Sequence, residues 1–388
     1  MKSAQALLLA CATATAAHAA PPFTPRLDGE VVERLPLRAG AADERARRRA
    51  EQRQLLQQPR DADLALRHAR EALERGRRSG DARELGNAQA WLQPWWTDAA
   101  APPAVRLMKA TVLQARHEFD AALVELERLP PPAQLPPAVA AQAGLTRATL
   151  LQLRGRWADA RHQCEQLAAP PLALAHGEAC LAELDSLQGR QAESALRFAA
   201  LGRRRDAPQA WLALLRAEAA ERQGHAAAGT LYARALQLND DIYTRAATAD
   251  WLLAAGRPAE VTAIVRAGQP DDLPDALLLR AAIAAQRMKA PGAASMAQQL
   301  QTRFVAAAAR GDDAAHARER ARFALDVQGD AALALQQATL NWQQQREPAD
   351  AVLLLRAARA AGRPDAAAPV QAFVRDQRLH DRRLQEQP

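Results

Sequence analysis

Tyrosine is almost missing from this chain, with two in 388 residues, and aromatics make up only 4 %. Isoleucine, valine and threonine are scarce as well, so the vocabulary from which strands are built is lacking and a helical fold is expected. No stretch beyond the N-terminus is apolar for long enough to span a bilayer. HExxH, GxSxG, GxGxxG, P-loop and CxxC motifs do not occur. None of the eight histidines has carboxylate or nucleophile partners at a diagnostic spacing. With the side chains accounted for by helix packing and solvation, no enzyme, cofactor or metal is expected.

Lysine is nearly absent too: Lys2, Lys109 and Lys289 are the only ones, and arginine supplies the rest of the 51 basic residues. The net charge of +7 raises the question of nucleic acid. The charges are interleaved, however, as in Asp61-Ala62-Asp63-Leu64-Ala65-Leu66-Arg67-His68-Ala69-Arg70-Glu71. Such a pattern belongs to solvated helix faces with i,i+4 pairs. The densest basic run, Arg45 to Arg53, contains Glu51 and no aromatic for base stacking. No nucleic-acid partner is expected.

What the chain has is a period. Gly80, His117, Gly155, Gly189, Gly224, Gly256, Lys289, Gly329 and Gly362 follow one another at steps of 37, 38, 34, 35, 32, 33, 40 and 33 residues. Seven residues before six consecutive marks stand Ala110, Ala148, Ala182, Ala217, Ala249 and Ala282. Five residues after the marks small side chains dominate: Ala122, Ala160, Ser194, Gly229, Ala294, Ala334 and Ala367. A small residue on each of two successive helices lets their backbones approach, and the turn between them favours glycine. The expected fold is all-α, an α-solenoid of about eight to nine helix-turn-helix repeats.

The motif Ala148…Gly155-x-Trp157-x-x-Ala160 and the run Gly224…Tyr232…Ala235-Leu236-Gln237-Leu238-Asn239-Asp240 resemble the tetratricopeptide repeat. The resemblance covers roughly residues 61–368, and the chain is similar to exported bacterial proteins of that family with no assigned biochemistry. It departs from the family pattern where the aromatic after the turn survives only as Phe119 and Trp157. It implies a right-handed superhelix whose first helices line a concave groove, with inward positions 13, 10, 6 and 3 residues before each mark. On this chain those positions include Gln152, Glu183, Trp211, Glu218, Glu221, Tyr243 and Asp250. The groove is then expected to be polar at one end and acidic beyond, with Trp211 and Tyr243 as anchors that pack as core or edge residues in the alternative.

Met1-Lys2-Ser3, the apolar stretch Ala6 to Ala17 and the small-x-small site Ala17-His18-Ala19 read as a secretory leader over 1–19. Cys11 offers a lipoprotein anchor as the alternative. A Pro-rich arm is expected over 20–40, the solenoid over 41–368 and a polar capping helix over 369–388. The run Trp91 to Trp96 reads as a packing plug at the end of the first hairpin, and Asp61 and Asp240-Asp241, like Asp271-Asp272 and Asp312-Asp313, as helix starts. A periplasmic setting is expected. Cys164 and Cys180 then fall near one level on adjacent antiparallel helices. A disulfide, two packed free thiols, and a zinc site completed by His162 and His176 are the three readings.

The function expected from these features is a non-enzymatic periplasmic scaffold or adaptor that holds a protein or peptide. The alternative is an accessory protein of envelope polymer export or assembly that binds glycan.

Overall fold

The computed structural model describes residues 41–265, 273–309 and 316–385. The expected leader and Pro-rich arm lie outside the described residues, as do the acidic doublets at 271–272 and 312–313. Among the described residues the protein is all-helical, with 78 % helix, no strand, and helices packed in neighbouring pairs. It divides into two compact units, one ending at Gln58 and the other beginning at Pro59. The first holds α1 (Ala41–Gln57), a polar helix whose described side chains are mostly exposed.

The second unit is the array. Its helices are α2 (Ala62–Ser79), α3 (Arg83–Trp91), α4 (Pro103–Ala115), α5 (Phe119–Glu127), α6 (Pro137–Leu153), α7 (Trp157–Ala168), α8 (Ala175–Leu187), α9 (Gln191–Leu201), α10 (Gln209–Arg222) and α11 (Ala228–Leu238). There follow α12 (Ile242–Ala254), α13 (Pro258–Val265), α14 (Asp275–Met288), α15 (Ala293–Ala309), α16 (Ala317–Phe323), α17 (Ala331–Gln344), α18 (Pro348–Ala360), α19 (Ala368–Gln377) and α20 (Arg382–Gln385). Asp61 and Asp241 cap α2 and α12, their carboxylates accepting from the Leu64 and Thr244 amides.

Every one of the nine marks is a left-handed residue between two successive helices, with φ from 53° at Lys289 to 76° at Gly189. At seven of the nine the residue after the mark donates its amide to the carbonyl five positions back: Glu118 to Leu113, Arg156 to Leu151, Arg190 to Asp185, His225 to Ala220, Arg257 to Leu252, Ala290 to Ala285 and Arg363 to Ala358. This bond satisfies an otherwise orphaned helix-end carbonyl and requires the left-handed residue inside it. The six register alanines are at most 2 % exposed. Trp91 and Trp95 are buried, as a packing plug requires.

The register shifts in two places. Ala294 is exposed, because Gly292 supplies a second left-handed residue (φ 89°) and α15 starts only after it. Seven positions before Gly329 stands Arg322, where the pattern calls for a small residue. There α16 ends in a π turn, Ala324–Gln328, and the Asp330 amide bonds to Ala324, six positions back. The extra residue moves the frame by one, and Ala321, fully buried, takes the alanine position.

Later segments of the chain return along the turns of the earlier ones, in order. A Cβ placed on Gly80 would meet Pro274 and Ile242; on Gly155, Phe373 at 2.6 Å; on Gly189, His380 at 3.4 Å; and on Gly224, Arg382. The Arg346 amide bonds to Leu153 and the His380 amide to Leu187, each at 2.8 Å. Phe373 wedges edge-on between Trp157 and Trp342, with ring centroids 5.3 Å from both. The C-terminal segment thus buries Val370, Phe373 and Leu379 against the middle of the array.

Cys164 and Cys180 are joined in a disulfide between α7 and α8, with Cα atoms 5.9 Å apart. Both thiols are consumed, which removes the zinc and free-thiol readings. His162 meets Gln166 and His176 stacks on Trp211.

Two stability outcomes are expected in denaturant titrations. Lys289→Gly gains about 1 kcal/mol and Gly256→Ala, where no side chain crowds the added Cβ, loses about 1 kcal/mol, because only glycine avoids the left-handed penalty. Reducing the disulfide, or replacing both cysteines by serine, costs about 3 kcal/mol for a loop of this size; an unchanged midpoint would show that the bond does not constrain the unfolded chain.

Candidate functional site

Side chains three and four residues apart share one face of a helix. On α6, α8, α10 and α12 that face carries Gln152, Glu183, Glu218 and Tyr243, and the array lays these helices side by side. The Gln152 side chain acts to lower the proton affinity of the Glu183 carboxyl, against the larger effect of burial. The Tyr243 hydroxyl donates to Glu218 Oε1 at 3.4 Å. Glu183, Glu218 and Glu347, just before α18, act on one another as like charges, and Tyr243 lies in the field of all three. The structure therefore brings together residues from both halves of the array.

The face is wet. Glu183 and Glu218 are half-buried and Tyr243 is 59 % exposed, while protein from several helices surrounds them. Among the described residues neither Glu183 nor Glu218 has an arginine or lysine within ion-pair distance. Arg222 attracts both from farther off. Loss of hydration pushes the Glu218 carboxyl up to about 8, against the pull of Arg222 and with the help of Glu183 and Glu347. Glu183 moves the same way, first through burial. The charge of Glu218, and then burial, holds the Tyr243 phenol well above its ordinary range.

The other expected groove residues sit differently. Glu221 accepts from the Tyr232 hydroxyl and from Arg383 Nη1, the latter at 2.8 Å. Asp250 is gripped by Arg280 at 2.6 and 3.0 Å and by Arg322 at 2.8 Å. Burial alone would raise its pKa, but the two guanidinium groups outweigh burial and hold it below the usual range. Trp211 is half-buried, stacks on His176 with centroids 5.9 Å apart, and packs against a core of Phe198, Leu201, Leu212 and Leu215. The acidic stretch is thus partly neutralised, and one of the two aromatics faces the core.

Sequence reasoning missed the arginines that do this. Arg318 and Arg322 stand one position out of phase with the inward series until the π turn is counted. Arg318 grips Asp350 at 2.6 and 2.7 Å and also pairs with Glu347. Arg383 reaches Glu221 across 162 residues, for which no local pattern exists.

Chemically, two half-buried carboxylates and a phenol on a wet face can accept hydrogen bonds and neutralise a cation. The chain matches no family model and no curated protein sequence.

The raised pKa of Glu218 has a consequence for stability. Between the unfolded value near 4.5 and about 8 the folded state holds a proton that the unfolded state has released, so stability falls as pH rises through that window. Glu218→Gln should leave the melting temperature nearly unchanged at pH 4 and raise it progressively toward pH 9. An equal effect at both pH values would contradict the burial of this charge.

Proposed function

We propose that this protein is a non-enzymatic scaffold of the tetratricopeptide-repeat type, exported to the periplasm, that holds a segment of a protein or peptide on the inner face of a right-handed superhelix of about eight to nine repeats. Three features support the type: paired helices at steps near 34 residues, left-handed turns in one phase, and buried alanines in a second. The disulfide favours an oxidising compartment, and among the described residues no helix is long and apolar enough to cross a membrane.

One observation carries the binding reading. Asp250, Glu221 and Asp350 are each paired with arginine, whereas Glu183 and Glu218 present carboxylates beside the exposed ring of Tyr243. Glycan binding would call for stacked aromatic platforms, and Trp211 is turned toward the core, so a polypeptide ligand is the better fit.

A photocrosslinking amino acid placed at Tyr243 in intact cells should yield discrete protein adducts, and the same probe at the exposed Leu196 on α9 should yield none. Adducts at 196 without any at 243 would put the binding surface elsewhere.

A further inference from the structure

A guanidinium group carries five N–H donors and accepts nothing, so its neighbourhood has to supply acceptors. Where the end of α17 meets the turn between α6 and α7, two arginines compete for them. Arg154 takes most. Its Nη1 donates to the carbonyls of Gln343 and Gln344 at 2.8 and 2.7 Å, and its Nε and Nη2 hold the two oxygens of Asp120 at 2.9 and 3.1 Å. Of the other carbonyls there, that of Asn341 accepts from the Gln345 amide and that of Leu153 from the amide of Arg346.

Arg346 is the second arginine, and it is half-buried. Its Cδ lies 3.0 Å from where a Cβ on Gly155 would stand, so the glycine makes room for its stem. The guanidinium lies over the Trp342 ring, 5.9 Å from the centroid, and Nε reaches the Trp342 carbonyl only at 3.5 Å. Among the described residues neither Nη has an acceptor, and neither is sealed from water. Burial first, and then the charge of Arg154, hold its affinity for a proton below the ordinary arginine range. Arg318 and Arg383, where carboxylates outweigh burial, shift the other way. The fork of Arg346 is thus held in place and short of an anion.

Asp120 offsets one of the two positive charges, so a single negative charge completes the group. We propose that Arg346, with Arg154 beside it, is a site for one singly charged oxyanion, a carboxylate or phosphodiester group whose two oxygens meet the two free Nη groups. A planar guanidinium fork matches such a pair of oxygens. The stem is already packed against Gly155 and Trp342, so little side-chain freedom is lost on binding. Arg154 is a positioning residue: by holding the Gln343 and Gln344 carbonyls it keeps them from Arg346. The site is independent of what the inner face holds.

The Nε–H resonance of Arg346 in the full-length, nitrogen-15-labelled protein, assigned by its loss in Arg346→Lys, reads this site directly. It is followed at constant ionic strength while acetate, dimethyl phosphate or neutral acetamide is added. A saturable shift is expected with acetate, dimethyl phosphate or both, half-complete at roughly 1–10 mM, as one fork of charged hydrogen bonds open to water supplies. Acetamide should give none, and the anion with the lower Kd identifies the source. Asp120→Asn, at an exposed residue, should tighten binding about 2- to 5-fold, the span of an exposed charge pair. Arg154→Gln should weaken it, because two carbonyls become free for Arg346. The absence of a saturable shift with either anion up to about ten times that half-point, or an equal shift with acetamide, would overturn the site. Unchanged affinity in both variants, with helical circular dichroism retained, would overturn the part given to Arg154 and leave an ordinary surface arginine.

Discussion

The left-handed residue at each turn is the constraint on which the rest of this structure depends. At seven of the nine turns it ends one helix with a bond from the following amide to a carbonyl five positions back, and so fixes where the next helix points. With that direction fixed, the alanine seven residues earlier is buried, as are Ala122, Ala160, Ser194, Ala334 and Ala367 five residues after their turns, and the helices pack closely. The same phase decides which side chains of α6, α8, α10 and α12 share a face. A turn geometry repeated along the chain thereby becomes a surface.

That surface acquires its electrostatic character from the return of the C-terminal helices. Phe373 fits against Gly155 because glycine has no Cβ, and it wedges between Trp157 and Trp342. Its position carries α19 and α20 along the turns and delivers Arg383 to Glu221. Buried charges are costly unless paired and hydrogen-bonded, and the protein meets this with arginine, whose planar fork serves Asp250, Asp350 and Asp185 in multiple contacts. Glu183 and Glu218 stand outside that arrangement, and burial answers instead by raising their proton affinity.

Local features were legible in the sequence to the extent that one helical turn decides them. The turn residues His117 and Lys289, neither of them glycine, are left-handed as their phase requires, and the six alanines are buried. The pairing of Cys164 with Cys180 follows from the distance of each from the Pro170-Pro171 turn, although the choice among disulfide, thiols and metal needed the structure. Ala294 and Arg322 escaped because one extra left-handed residue and one π turn each shift the frame without a compositional mark. The partial neutralisation of the acidic stretch escaped for a different reason. Asp250 and Arg322 lie far apart in sequence, as do Glu221 and Arg383, and no periodicity within a repeat encodes a contact between distant repeats.

The return of the C-terminal segment is the claim from which the neutralisation of Glu221 by Arg383 follows, and one crosslink tests it most directly. A Cβ at position 189 would lie 3.4 Å from the Cβ of His380, close to the separation found across disulfides. With Gly189→Cys and His380→Cys introduced together, oxidation of the folded protein should join the two cysteines nearly completely, and reduction should reverse it. Two thiols that stay free and alkylatable in the folded, oxidised protein would show that the last helices do not lie along the turns, and the pairing of Arg383 with Glu221 would not exist.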